Sequence, residues 1–157
     1  MPVRGRRGIC GAALSATVLA TAIWGCRSPV QAPTADAAVR SFIKAAVARD
    51  GERACGYLSD NGKLEMASYP KRYGARQVST SDCVRTVRAL GRLPHSQEWV
   101  PLAHGSIDVA PAAGLDNRTV TVTYEYGGTT HVATGSVQPG LTGGFVVTLP
   151  PIPLSSR

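Results

Sequence analysis

The residues best placed for chemistry are a histidine and a tyrosine facing one another across a hairpin. Residues 119–126 alternate apolar and polar side chains, Gly127-Gly128 has the composition of a two-residue turn, and residues 129–137 supply the returning strand. A two-residue turn fixes the register: Tyr126 pairs with Thr129, Glu125 with Thr130, and Tyr124 with His131. One face then carries Val120, Val122, Tyr124, Tyr126, His131 and Ala133, and the other carries Glu125 and a row of threonines. An imidazole beside a phenol offers a base and a hydrogen-bond donor. The same pair also reads as a histidine at the edge of a core, bonded to a tyrosine hydroxyl. No carboxylate is placed to orient the ring, since Asp108 and Glu125 alternate onto the polar faces of their strands. His95 and His104 fall in a proline-containing connection and read as exposed. A serine elbow, a phosphate-binding glycine loop and a zinc-helix motif are absent from the sequence, so neither a cofactor nor a metal is expected.

A second group of interest is basic. Lys71, Arg72, Arg76, Arg85, Arg88 and Arg92 are opposed in sequence only by Asp82, and Arg85, Arg88 and Arg92 share a helix face at i, i+3, i+7. Such a face can rest on anionic lipid headgroups or wall polymers, where each cation contributes ~1 kcal/mol. It can equally be solvated helix surface.

The first 26 residues bear on both groups, because they say where the chain resides. Arg4, Arg6 and Arg7 precede an uncharged stretch from Gly8 to Gly25 that ends at Cys26, the layout of an export signal. Three Gly and three Ser or Thr dilute that stretch, which weakens the alternative of a permanent transmembrane helix. Ile23-Trp24-Gly25-Cys26 resembles a bacterial lipobox, in which small Gly25 fits the signal peptidase and the Cys26 thiol takes diacylglycerol. The rival is cleavage after Ala20-Thr21-Ala22. Cysteine parity separates the two: lipidation uses Cys26 and leaves Cys55 and Cys83, whereas the rival leaves three cysteines and one unpaired thiol. Arg6-Arg7 also keeps a twin-arginine route open beside general secretion. Outside the cytoplasm Cys55 and Cys83 favour a disulfide, the alternative being two buried free thiols. Close His partners and a Cys-x-x-Cys spacing, which a metal site would need, are missing.

Processing also changes the charge. The 157-residue chain has 17 Lys and Arg against 10 Asp and Glu, a formal net charge of +7. Losing Arg4, Arg6 and Arg7 leaves 14 cations against the same 10 acids, or +4. Nucleic acid is excluded as a partner of an exported chain. With 43% hydrophobic and 17% charged residues the remainder can bury a core, and its length allows one domain.

The elements that position these residues read as helices first and strands afterwards. Thr34 is an N-cap for a helix with Val39, Phe42, Ile43, Ala46 and Val47 on one stripe, Asp36 in its first turn and Gly51 just past its end. Ala54, Cys55 and Leu58 share one side of a short second helix over 52–58. Residues 59–80 are rich in Gly, Pro, Ser and Asn and read as loop, with at most a turn near Leu64 to Ala67. Cys83, Val87 and Leu90 follow at helical spacing, stopped by Gly91. Strands are expected around Ile107 and Val109, over 119–126 and 129–137, and around Phe145, Val147 and Leu149. The fold class is therefore α+β.

Residues 38–59, Ala-Val-Arg-Ser-Phe-Ile-Lys-Ala-Ala-Val-Ala-Arg-Asp-Gly-Glu-Arg-Ala-Cys-Gly-Tyr-Leu-Ser, resemble the opening of nuclear transport factor 2-like domains in secreted bacterial lipoproteins. In those domains a helix ends in Asp-Gly, a second carries Ala-Cys-x-x-Leu, and a further cysteine-containing helix precedes the sheet. The resemblance spans roughly residues 35–150 and implies N-terminal helices packed on a curved antiparallel sheet around a conical pocket. It implies fold more than function, because the superfamily holds isomerases, cyclases, dehydratases and many non-enzymes.

The expected organisation is a lipoprotein signal peptide over 1–25, lipidated Cys26 with a short Pro-containing tether to residue 34, a domain over 35–150, and a Pro-rich tail over 151–157. At ~3.1 Å per residue the tether reaches about 25 Å, which keeps the domain close above the membrane. The expected function is that of a lipid-anchored protein on the extracytoplasmic face of the cell membrane, binding a small apolar ligand, anionic lipid or another envelope component without catalysis. An isomerase or cyclase using His131 and Tyr124, and a structural spacer, are the alternatives.

Overall fold

The computed structural model describes residues 29–73, 75, 82–112 and 116–153. Cys26, the expected export signal and Arg76 lie outside them. The chain runs through five helices, α1 (Ala35–Val47), α2 (Gly51–Gly56), α3 (Asp60–Arg72), α4 (Cys83–Ala89) and α5 (Trp99–His104), before four strands, β1 (Ser106–Pro111), β2 (Arg118–Tyr126), β3 (Thr129–Pro139) and β4 (Phe145–Leu149). The strands form one antiparallel meander in the order β1-β2-β3-β4, so the α+β expectation holds. Among the described residues no helix is long and apolar enough to cross a membrane.

The apolar stripe read from the sequence explains α1. Thr34 caps it by accepting from the Ala37 N–H, and Ala38, Val39, Phe42, Ile43 and Ala46 are buried against the sheet. The sheet contributes Val120, Val122, Tyr124, Ala133, Val137 and Val147 from the facing side. Burying one such large side chain stabilises the fold by roughly 1.5–3 kcal/mol. Leu102 and Trp99 of α5 add to the same core beside β2.

Three local expectations are corrected. Within the stretch 59–80 read as loop, Asp60–Arg72 instead form helix α3. Ser59 caps it by accepting from the Gly62 N–H, and Gly62, Met66, Tyr69 and Pro70 form a buried stripe that the Gly and Pro content concealed. Gly62 is needed for a close approach: a Cβ there would lie 2.7 Å from the Val147 carbonyl oxygen on β4. Pro70 stands near the end of α3, where its missing N–H removes one helical hydrogen bond without ending the helix.

Secondly, Gly51 does not stop α1. Arg49 takes the left-handed conformation at φ 57° after Ala48, and Gly51 opens α2 under the Asp50 cap. Thirdly, Gly91 lies inside a 3₁₀ turn, Leu90–Arg92, that continues α4.

The hairpin register is the one expected, Tyr124 against His131 and Tyr126 against Thr129. Gly127 and Gly128 at φ 61° and 78° adopt the left-handed pair that a tight hairpin turn requires. Further along β3 the register with β4 shifts between Ser136 and Val137, a bulge that increases local twist.

The two edges of the sheet differ. Beyond β4, Ala32 pairs with Phe145 and Leu58 bridges to Val147, so the chain before α1 and the link after α2 cover that edge. The outer edge of β1 carries Asp108 and ends at Pro111, both unfavourable to strand addition. Pro150 to Pro153 are buried.

Candidate functional site

The two residues singled out by their register do meet, but the chemistry around them has a different centre. Tyr124 and His131 stack with ring centroids 5.5 Å apart and 24° between planes, while Tyr126 meets the His131 ring edge-on at 6.0 Å. The Tyr124 hydroxyl does not serve His131. It donates to Glu98 Oε2 at 2.7 Å, and His95 Nδ1 lies 2.8 Å from the other carboxylate oxygen. Glu98 is 3% exposed, so burial makes each of these partners necessary. A carboxylate only accepts, which makes His95 Nδ1 the protonated ring nitrogen.

Local backbone geometry builds this group. His95 takes φ 59°, a left-handed turn that histidine enters more readily than most residues, and this folds its ring back toward Glu98 three positions on. The 3₁₀ turn Ser96–Glu98 then leads directly into α5. One expectation is corrected here: His95 is half-buried and carboxylate-bonded rather than exposed, whereas His104, the last residue of α5, is exposed as expected. Gln97 of the same turn accepts from the Tyr126 hydroxyl at 2.9 Å, a second tie to the hairpin.

An aromatic chain continues inward from His95. Tyr73 meets the His95 ring edge-on at 6.2 Å, Tyr69 lies 4.8 Å from Tyr73, and Trp99 packs against both Tyr69 and Phe42. The Tyr69 hydroxyl donates to the Pro94 carbonyl at 2.6 Å. Burial pushes its pKa up to about 12. Burial also holds the Tyr124 hydroxyl well above the ordinary phenol range, and the Glu98 carboxylate adds to the effect by accepting its proton. Both phenols therefore stay neutral donors at physiological pH.

A histidine backed by a carboxylate is the pairing that general-base catalysis uses. Here, however, the Tyr124 hydroxyl is engaged with Glu98, and Val120, Val122, Tyr124 and Ala133 on the sheet face are at most 2% exposed. Among the described residues no carboxylate hydrogen-bonds His131. Nor does any group of three metal-ligating side chains occur among them.

Open space lined by described residues lies elsewhere. A cleft of about 710 Å³ has Gln31, Asp60, Asn61, Gln138, Thr142 and Thr148 on its walls, with Leu141 at its rim. Another of about 610 Å³ has Val30, Glu52, Arg53, Tyr57, Lys63 and Val84. Pro29 borders both.

The basic residues are more fully compensated than the sequence suggested. Arg85 pairs with Asp82 at 3.2 Å, as expected, but Glu52 also reaches Arg88 at 3.5 Å and Glu65 reaches Arg72 at 2.7 Å. Lys71, Arg72, Arg85, Arg88 and Arg92 are exposed, and Arg92 stands on the 3₁₀ turn beyond α4. Cys55 and Cys83 are joined as a disulfide between α2 and α4, with Cα atoms 6.1 Å apart.

Glu98 was invisible to sequence reasoning because nothing in Ser96-Gln97-Glu98-Trp99 marks the glutamate as buried. The one available signal was an acid three residues after a histidine just ahead of an apolar helix. Comparison with known protein families, with curated proteins and with solved structures finds no match to this chain.

Proposed function

We propose that the chain is an extracytoplasmic lipoprotein, held to the membrane by diacylglycerol on Cys26, whose nuclear transport factor 2-like domain binds an envelope component without catalysis. The observation that carries this reading is the Cys55–Cys83 disulfide, a bond suited to an oxidising compartment and therefore to an exported chain. It also uses the only two cysteines left once Cys26 carries lipid and Cys10 departs with the signal.

The filled sheet face supports a non-catalytic role. In enzymes of the nuclear transport factor 2-like superfamily that face would line an open cone, whereas here Tyr124 and Glu98 satisfy one another inside the core. The cleft beside Gln31 presents amides and hydroxyls together with apolar wall from Pro29, Pro139, Leu141 and Val146, so it suits an occupant with both polar and apolar parts.

The test is expression of the full-length chain and of Cys26→Ala in a bacterium that processes lipoproteins, followed by fractionation. The parent is expected with the membranes and the variant in the soluble extracytoplasmic fraction. Equal distribution of the two refutes the anchor.

A further inference from the structure

The chain between Cys26 and the folded domain is much shorter than the tether of residues 27–34 suggested. Val30 donates its N–H to the Gly56 carbonyl at 2.6 Å, and Ala32 exchanges two backbone hydrogen bonds with Phe145. Gln31 fastens the loop between β3 and β4: its side-chain oxygen accepts from the Thr142 hydroxyl at 2.6 Å and from the Gly144 N–H at 3.1 Å. The domain thus begins at Pro29. Three peptide steps separate Pro29 from Cys26, and a fully extended chain spans at most ~3.6 Å per residue, so the two lie within about 11 Å of one another.

Leu141 projects from the loop that Gln31 holds, and it is fully exposed at 103%. Val30, 51% exposed, stands on the same N-terminal segment. Charges around the neighbouring cleft are mixed, Asp50 and Glu52 against Arg53 and Lys63, so this region offers no strong attraction to anionic lipid. We propose that the end of the domain formed by Pro29, Val30 and the Gly140–Gly144 loop docks on the phospholipid bilayer, with the Leu141 side chain inserted at the interface. This rests on Cys26 being lipidated. A lipid on Cys26 sets Pro29 at headgroup level, and the Gln31 clamp carries Leu141 with it. Docking also places the mouth of the Gln31–Asn61 cleft beside the membrane surface.

The position of Val132 supplies an internal control. It is also 51% exposed and lies on β3 nine residues before Leu141, close to the opposite turn of the sheet. At ~3.3 Å per strand residue, Val132 and Pro139 at the loop end of β3 are about 23 Å apart. Full-length lipidated Leu141→Cys and Val132→Cys are each labelled with the fluorophore NBD and reconstituted into phosphatidylcholine–phosphatidylglycerol vesicles with and without doxyl-labelled lipid. The expected result is at least twofold quenching with a blue-shifted emission at position 141, and less than one-fifth loss of intensity at 132. Equal quenching at the two positions, or none at 141, overturns the docking with the anchor intact. A mass spectrum of the same preparation showing unmodified Cys26 overturns the anchor, and the docking with it.

Discussion

The two ends of the β-sheet are held together in different ways. At the end nearest the N-terminus, around the β3–β4 loop, the fold is fastened by main chain and covalent bonds: the Cys55–Cys83 disulfide, the Ala32–Phe145 bridge and the Gln31 clamp. At the other end, where Gly127 and Gly128 turn the hairpin, side chains do the fastening through Glu98, Tyr124, His95, Tyr126 and Gln97. The first end ties the N-terminal segment to the sheet and the helices together. The second has its polar groups paired with one another, which fits a core corner better than a reaction centre.

The largest effect that separates the ends is loss of the disulfide. Closing a loop with a sequence separation of 28 is worth about 3.5 kcal/mol in the loop-entropy account. Cys55→Ala with Cys83→Ala should lower the unfolding free energy in urea by about that amount and increase hydrogen exchange first in α2 and α4. A loss below about 1 kcal/mol would mean that the N-terminal end relies on its hydrogen bonds, as the hairpin end does.

Next in size is Glu98→Ala, which strands the buried Tyr124 hydroxyl and should cost about 2–3 kcal/mol. Tyr124→Phe keeps the ring in the core and should cost about 1 kcal/mol. A double-mutant cycle on the two should give a coupling above about 0.5 kcal/mol if they act as one tie. Additive losses would break the picture of a closed polar corner.

Gln31→Ala is smaller, about 1 kcal/mol, because its hydrogen bonds lie near the surface. Its signature is faster exchange at the Thr142 and Gly144 amides with the hairpin unchanged.

The smallest effect at neutral pH concerns Tyr69 and Tyr124, whose folded pKa values are raised. Their contribution to stability is complete below pH 10, and Tyr69 loses its share as pH rises from about 10 to about 12. Phenolate absorbance should show Tyr69 and Tyr124 ionising late, and Tyr69→Phe should remove the late step near pH 12. Ionisation of Tyr69 and Tyr124 near pH 10 would contradict the burial of this corner.

Patterns of short range were legible in the sequence and tertiary compensation was not. The α1 stripe from Val39 to Ala46 and the hairpin register follow from spacing and turn chemistry, and the pairing of Cys55 with Cys83 from cysteine parity. Helix α3 was hidden because Gly62 and Pro70 read as breakers, yet one serves a close approach to β4 and the other falls in the last turn. Of the candidate site, the Tyr124–His131 adjacency was foreseen and the carboxylate was missed. Glu98 is brought to Tyr124 from 26 residues away by packing of α5, for which no local pattern codes. The basic face likewise looked opposed by Asp82 alone until α2 and α3 supplied Glu52 and Glu65.

The central claim is that this domain hangs from a lipid at Cys26, and the N-terminal peptide tests it most directly. Mass spectrometry of the protein extracted from membranes should show a chain beginning at Cys26 and carrying a diacylglyceryl group. A chain beginning at Ile23 with a free Cys26 thiol, or one retaining residues 1–25, would contradict it.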